Sequence, residues 1–316
     1  ILEPNDRLPG FRDRYFIWRY DIQSGLYEQL TYGHNNTFIH DVSADSRYLL
    51  FSTSEQDYTS LPHSANSMYK LDLQTMAIDT LWERAKYING ANFSPDGKQL
   101  MVFGSGNAFD NIGLNIKEGQ ISNTYDGQLF LYDPATRKAK ALTKDFNPNV
   151  TNAEWSKFDG QIYMLTEDQD YQRVYTCNPA NGKIRRLDLP EDVIYNYSLA
   201  EAAPVMYYYG QSVSNANRLY SYNTKSNKTQ LIYDLSADKL KDIKFGEVRD
   251  WNFTSADGTV IQGRYYLPPN FDASRKYPMI CPSARRTDSI GKKQNPITQP
   301  SNTENTSVVA MVCRNT

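Results

Sequence analysis

The feature that most constrains this chain is a turn that it repeats five times. Each copy runs an apolar or aromatic strand into an Asp or Asn, makes a short polar turn and leaves on a second strand. The copies are WRYDIQSGLYEQLT around Asp21, YKLDLQTMAIDTL around Asp72, FLYDPATRKAKALT around Asp133, YTCNPANGKIRRL around Asn178 and YSYNTKSNKTQLI around Asn223. The anchors are 51, 61, 45 and 45 residues apart, a period that belongs to stacked repeat units rather than to unrelated hairpins. Ser-Gly, Asp-Pro, Asn-Pro and Lys-Ser-Asn supply or tolerate the φ values of a tight connection.

A second element alternates with the first. FSPDGKQLMVF (Phe93 to Phe103) is strand, Pro-Asp-Gly turn, strand, and VSADSRYLLF (Val42 to Phe51) and WSKFDGQIYML (Trp155 to Leu165) echo it. SLAEAAPVMYYY (Ser198 to Tyr209) is a degenerate fourth copy. One period therefore holds about four short strands, the content of one β-propeller blade. Four strands cannot bury both faces alone, so neighbouring blades must stack. The expected fold is all-β, a partial β-propeller of about four and a half blades over residues 1–246. Blades two to five are complete, and the copy at Arg14 to Tyr32 supplies the last two strands of a first. Either further blades were lost at the N-terminus or the arc closes in an unusual way, and loss is the favoured expectation, since an open arc would leave blade faces and edges uncovered. Gly104 to Asp126 and Ser54 to Ser67 read as polar insertions between strands, of the kind that gathers on a propeller rim.

Composition agrees and excludes other classes. The chain carries 24 Tyr against 13 Phe and 4 Trp, with many Asn, Asp and Gly, which favours strands and turns. A net charge of −2 gives no electrostatic reason for nucleic acid or an anionic membrane as partner. No apolar run has the length of a membrane-spanning helix. Cys177, Cys281 and Cys313 are widely spaced and odd in number, so neither a disulfide framework nor a zinc site is expected. No cofactor is implied. The start at Ile1, without Met or a signal-like segment, reads as cut or processed.

The segment Glu247 to Ile280, EVRDWNFTSADGTVIQGRYYLPPNFDASRKYPMI, reads as a hairpin, a Pro268-Pro269 break and a basic lead-in to an apolar run. Its wording resembles the join between propeller and catalytic domain in the prolyl oligopeptidase family of serine peptidases, dipeptidyl-peptidase IV-like members included. The Ser-Pro-Asp-Gly turn resembles the repeat of TolB-like and prolyl oligopeptidase propellers. The resemblance implies that residues 247–280 are the linker hairpin and first strand of an α/β-hydrolase domain. It implies a parent that cleaves short peptides through Ser, Asp and His, with the propeller gating access. Peptide substrate and that hydrolase domain are then the expected partners, self-association into a homo-oligomer stays open, and a periplasmic or secreted setting is suggested. After Ile280 a Ser/Thr/Asn/Pro/Arg-rich tail, residues 281–316, replaces the hydrolase core, with a composition typical of disorder. A shifted reading frame is one account of it, since CGG codons for Arg285-Arg286 would read Gly-Gly one nucleotide away.

No catalytic residue is assigned. A peptidase of this kind needs Ser in a G-x-S-x-G elbow, then an acid, then His. No such elbow occurs, Gly104-Ser105-Gly106 reads as loop, and no His follows His63. The chain alone is therefore expected not to hydrolyse peptides. The rival expectation is a non-catalytic, TolB-like propeller that binds a protein or ligand through its rim. Glu167-Asp168-Gln169-Asp170 suggests a cation but lacks the closing ligands, and reads as a hairpin turn. Without a Glu-Glu dipeptide, no substrate amino-terminus site is assigned, and Glu55 and Glu83 read as ordinary polar positions. Tyr195-Asn196-Tyr197 and Tyr207-Tyr208-Tyr209 read as strand residues that alternate between packing and exposure. Cys177 reads as inert, His40 and His63 as turn residues, and Arg185-Arg186 and Lys292-Lys293 as too short for nucleic acid.

Overall fold

The structure, a computed structural model, describes residues 13–278 apart from 214, 257 and 259. The expectations placed on the start of the chain, on Cys281, on Lys292-Lys293, on Cys313 and on the tail lie outside the described residues.

The repeated turn is built the same way in all five copies. The anchor side chain accepts hydrogen bonds from backbone two or three residues ahead: Ser24 N to Asp21, Gln74 and Thr75 N to Asp72, Ala135 and Thr136 N to Asp133, Ala180 and Asn181 N to Asn178, and Lys225 and Ser226 N to Asn223. The amide four residues on then closes the loop onto the anchor carbonyl at 2.8 to 2.9 Å. That fourth residue has positive φ each time: Gly25 72°, Met76 60°, Arg137 59°, Gly182 72° and Asn227 55°. The geometry needs a left-handed residue there, and the anchor's side-chain bonds hold it even where the residue is not glycine.

Each turn joins the outer pair of strands of a blade. Blade 1 is the pair β1 (Trp18–Tyr20) and β2 (Tyr27–Gln29). Blade 2 is the sheet β3 (Asn36–Val42), β4 (Tyr48–Gln56), β5 (Ser64–Asp72), β6 (Ile78–Ala85). Blade 3 is β7 (Ile88–Phe93), β8 (Leu100–Ser105), β9 (Gly127–Asp133), β10 (Lys138–Ala141). Blade 4 is β11 (Asn149–Trp155), β12 (Ile162–Asp168), β13 (Tyr171–Cys177), β14 (Ile184–Arg186), and blade 5 is β15 (Val193–Leu199), β16 (Val205–Gln211), β17 (Arg218–Asn223), β18 (Lys228–Asp234). The antiparallel hairpin β19 (Val248–Thr254) and β20 (Val260–Tyr266) follows. This is the partial propeller that the repeats predict. No helix among the described residues is long and apolar enough to cross a membrane.

The described chain falls into two compact units, residues 13–167 with 175–186, and residues 168–174 with 187–278. In the first unit three apolar seams join successive blades. Ile17 and Leu30 of blade 1 pack with Leu49, Phe51 and Leu71 of blade 2. Leu50, Met68 and Leu81 of blade 2 pack with Ile88, Ala91, Leu100, Val102 and Phe130 of blade 3. Met101, Leu129, Leu131 and Leu142 of blade 3 pack with Val150, Ile162, Met164 and Cys177 of blade 4. In the second unit, blade 5 buries Met206, Tyr208, Tyr220 and Tyr222, and Tyr208 stacks on Tyr220 with ring centroids 5.1 Å apart.

Three expectations need correction. His40 lies within strand β3 rather than at a turn. Ser54 to Ser67 is mostly paired strand: β4 and β5 run in register out to Gln56↔Ser64, leaving a loop at 57–63. Asp57 organises that loop by accepting from the Thr59 amide, the Thr59 and Ser60 hydroxyls and Lys86. A polar hairpin arm has the same composition as a loop, which is why residue types alone misplace it. Gly104 and Ser105 end β8 rather than opening an insertion, and Ser105 is buried and paired with Gly127. Glycine is required at 104 because a Cβ would stand 2.5 Å from the Tyr87 carbonyl oxygen. The insertion proper starts at Gly106. Phe109, Asp110 and Asn111 turn left-handed there, with φ of 50°, 59° and 68°, and Phe109 packs among Trp82, Phe130 and Tyr132.

Leu129 is fully buried in the seam of blades 3 and 4. Leu129→Ala is expected to lose about 3 kcal/mol in urea unfolding, and Leu26→Ala at an exposed turn less than about 0.5 kcal/mol. Equal losses would show that the seams do not carry the stability. Asp72 yields a pH prediction. Arg47 donates to its carboxylate at 2.9 and 3.1 Å, and this contact, with the Gln74 and Thr75 amides, draws its pKa down to about 2. Its contribution is complete above the unfolded-chain value of about 3.9 and is lost as pH falls through the folded value. Asp72→Asn is expected to be less stable than wild type at neutral pH, with the gap in Tm closing between pH 5 and 2. A gap that does not change with pH refutes the assignment.

Candidate functional site

Strand direction alternates within a blade, so the loop joining its two middle strands and the connection to the next blade emerge at the same end. Hydrogen bonds tie these segments together. Lys86 Nζ donates to the Ser60 carbonyl and Tyr87 OH to the Leu61 carbonyl. Asn115 Nδ2 donates to Asp145, and the Asp192 amide to Ser212 Oγ. Within each unit these connecting segments carry charged clusters.

The densest cluster, within the second unit, surrounds Tyr171. The Arg173 guanidinium lies over one ring contact at 3.5 Å from the centroid, and that of Arg264 at 3.8 Å. Arg264, on β20, pairs with Asp170 of the β12–β13 turn, with Asp192 before β15 at 3.2 Å and with Asp250 of β19 at 3.4 Å. Tyr171 OH donates to Asp250 at 3.3 Å, and Arg173 pairs with Asp168 at 2.8 Å. The Arg264 side chain is only 10% exposed. Burial works against its charge, and Asp170, Asp192, Tyr171 and Asp250 more than offset that, so its pKa stays above the ordinary arginine value. Burial also raises the Asp170 carboxyl, an effect that Arg264 opposes and the Asp250 and Asp192 carboxylates reinforce.

A second cluster surrounds Glu191, whose buried carboxylate accepts from Ser212 Oγ at 2.7 Å, from Asn215 Nδ2 at 3.1 Å and from Tyr220 OH at 2.5 Å. These partners tie the connection entering blade 5 to its β16–β17 loop.

The sequence candidates disperse. Glu167 is buried and accepts from Asn149 Nδ2, Asp168 goes to Arg173 and Asp170 to Arg264. A guanidinium stands where a cation would be needed, and among the described residues no group of three or more His, Cys, Asp or Glu is arranged to hold a metal. Tyr208 and Tyr197 are buried while Tyr207, Tyr209 and Tyr195 are exposed, the alternation that strand geometry dictates. Cys177 is buried and its thiol is pushed up to about 11 by burial, so it is not a nucleophile at neutral pH. His40 Nε2 and Ser52 Oγ lie 2.8 Å apart, but the adjacent Asp41 carboxylate is turned to the amides of Val42 and Phe93. Burial lowers the His40 pKa. His63 packs against Tyr58, Glu55 pairs with Arg84, Glu83 is exposed on β6 and Arg185-Arg186 lies on β14. Sequence reading missed Tyr171, Arg173, Asp192, Asp250 and Arg264. A charged residue inside the apolar VIQGRYY strand was the one available signal.

No family model matches the chain. By sequence it is homologous to the dipeptidyl-peptidase 5 of Porphyromonas gingivalis, 26% identical over 191 residues, which is 60% of this chain and 25% of the relative. The chain thus spans about a quarter of that protein's length. Its fold is similar to the dipeptidyl peptidase 4 of Porphyromonas gingivalis, with TM-score 0.50 and 12% identity over 84% of this chain and 50% of the other. It is also similar to an oligogalacturonate lyase of Vibrio parahaemolyticus, with TM-score 0.52 and 12% identity over 71% and 61%. At such identity the structural likenesses show the fold alone. The resemblance to the propeller portion of the prolyl oligopeptidase family is borne out by the sequence homology together with this fold.

Arg264 is the charge that holds β20 against the turn and connection of the neighbouring blades. Arg264→Gln is expected to speed amide hydrogen exchange in β19–β20 by about tenfold, equivalent to ~1.4 kcal/mol, and to raise the Asp170 carboxyl further in a 13C NMR titration. Because Asp170 is already raised, the wild-type cluster should tighten as pH falls through its folded pKa. Unchanged exchange in the variant would show that the guanidinium does not hold the hairpin.

Proposed function

We propose that this chain is the substrate-gating propeller portion of a serine peptidase that cleaves short peptides, and that it does not itself catalyse the cleavage. The observation that carries this reading is the homology to a dipeptidyl-peptidase over 191 residues. The β19–β20 hairpin supports it, because it follows the last blade with the wording of a lead-in to an α/β-hydrolase domain. In that reading Arg264 and Tyr171 fix where the hairpin leaves the propeller, and the rim loops at 57–63 and 106–126 restrict what reaches the catalyst. A periplasmic or secreted setting goes with it.

The residues present argue against catalysis by this chain. Among the described residues the His40–Ser52 pair, at 2.8 Å, is an approach to a nucleophile and base. A base in a working triad is oriented by a third group, and Asp41 is engaged elsewhere. Gly90 lies against the other ring nitrogen, since a Cβ there would stand 2.9 Å from His40 Nδ1.

Incubation with a fluorophosphonate probe is expected to give no covalent labelling, and dipeptide naphthylamides should not be turned over. Stoichiometric labelling that mapped to Ser52, or to any serine of this chain, would overturn the non-catalytic half of the proposal.

A further inference from the structure

Phe109, Asp110 and Asn111 hold left-handed backbone in succession, with φ of 50°, 59° and 68°. Asp and Asn visit that region as single residues, and a bulky side chain there is an outlier. Such a backbone persists only where its surroundings over-determine it, and it recurs at ligand clamps and switches. Here the surroundings act through one ring. Phe109 stands edge-on to Trp82 at 5.7 Å and to Phe130 at 5.5 Å between centroids, and stacks on Tyr132 at 5.8 Å. Two of these walls are fixed without it. Phe130 and Tyr132 sit on β9, which is paired on both sides by β8 and β10, and Tyr132 OH donates to the Leu81 carbonyl at 2.7 Å.

The segment that delivers the ring is a small closed loop. Its stems are glycines that meet over Gln128: a Cβ on Gly113 would stand 2.6 Å from Gln128 Oε1 and 3.0 Å from the Gly106 Cα. Among the described residues its hydrogen bonds run within the loop or to its own stems, as Asn107 Nδ2 to Asn111 Oδ1, the Asn111 amide to the Asn107 carbonyl and the Asn107 amide to Ser105 Oγ. Packing by Ala108, Phe109 and Ile112 is what joins it to blades 2 and 3. Phe109 is half-buried and Asp110 and Asn111 are exposed, so the loop covers the three rings from the solvent side. Gln128 stands on the same face of β9 as Phe130 and Tyr132. Its Oε1 and the Nε1 of Trp82 are buried, and neither has a hydrogen-bond partner among the described residues.

We propose that residues 107–112 are a hinged plug, and that the pocket of Trp82, Phe130 and Tyr132 is a binding site for the aromatic side chain of a peptide, whose ring takes the place of Phe109. The resident ring shows that the pocket accepts a phenyl group. The two unpartnered atoms, one acceptor and one donor, call for polar groups beside that ring. The backbone of an aromatic residue carries both kinds. The left-handed turn eases release, because the backbone relaxes once the ring withdraws. The glycine stems give the movement its hinges. This inference does not rest on the peptidase reading.

The test is titration of the full chain with N-acetyl-phenylalanine amide, followed at the Trp82 indole N–H by 1H–15N NMR. Phe109→Ala removes the competing ring and is expected to bind the probe at least roughly tenfold more tightly than wild type. Asp110→Pro keeps the ring but forbids the left-handed turn that seats it, and is expected to tighten binding in the same way. Asp110→Gly accommodates the turn and should bind no more tightly than wild type. Far-UV circular dichroism confirms folding, and should Phe109→Ala not fold, the exposed Asp110 pair decides. Folded Phe109→Ala without a saturable shift would overturn the site. Asp110→Pro no tighter than wild type would overturn the plug, since the pocket would then exist only by deletion of its own core residue.

Discussion

A four-stranded antiparallel sheet has two faces and shelters neither on its own. Leu50 and Met68 of blade 2 become core because Ile88, Ala91 and Val102 of blade 3 close over them, and Met101 and Leu129 of blade 3 because Val150, Ile162 and Met164 of blade 4 do the same. Burying one such side chain is worth about 1.5–3 kcal/mol, which is small beside the entropy of ordering a blade. The seams hold by repetition, since each blade is both a cover and something covered. The anchor turns serve this arrangement. By fixing the outer hairpin with side-chain bonds at Asp21, Asp72, Asp133, Asn178 and Asn223, they set which residue stands four positions earlier and on which face it points.

The hairpin after blade 5 is held by different physics. Most of β19 is exposed, so it has little apolar surface to contribute, and its link to the blades runs through Arg264 and the carboxylates around it. Ionic contacts of this kind depend on geometry and on pH, whereas apolar seams scarcely do. A structure that joins its blades by apolar packing and this hairpin by a largely buried guanidinium puts its pH-dependent contact at the hairpin. Tyr171 reinforces this: a ring with an arginine on each contact, whose hydroxyl reaches Asp250, orients the charges without adding one.

Much of this was legible in the residues. The anchors and the Ser-Pro-Asp-Gly turns gave blade content because their chemistry is local: a carboxylate or amide two or three residues from the amides that it accepts from. The alternation across Tyr207, Tyr208 and Tyr209 followed from strand geometry. Ser54 to Ser67 was misread because a hairpin arm can be as polar as a loop. Gly104 was misread because the reason for glycine, the Tyr87 carbonyl lying against it, belongs to another strand. The Arg264 cluster was invisible for a similar reason. Asp170, Asp192, Asp250 and Arg264 lie on four separate segments, each with an ordinary local sequence, and only folding brings them to one guanidinium.

The same reasoning limits what the fold says about chemistry. A peptidase and a lyase both share this sheet architecture at 12% identity, so stacking blades is compatible with either activity and selects neither. What selects is the set of side chains that the architecture leaves unspent. Here charges on the connecting segments of each unit are internally paired: Asp168 with Arg173, Asp57 with Lys86, and Glu191 with Ser212, Asn215 and Tyr220. A charged group already satisfied in this way holds a loop in place. It is poorly suited to proton transfer, which needs a base with a free lone pair and a partner that can give one up.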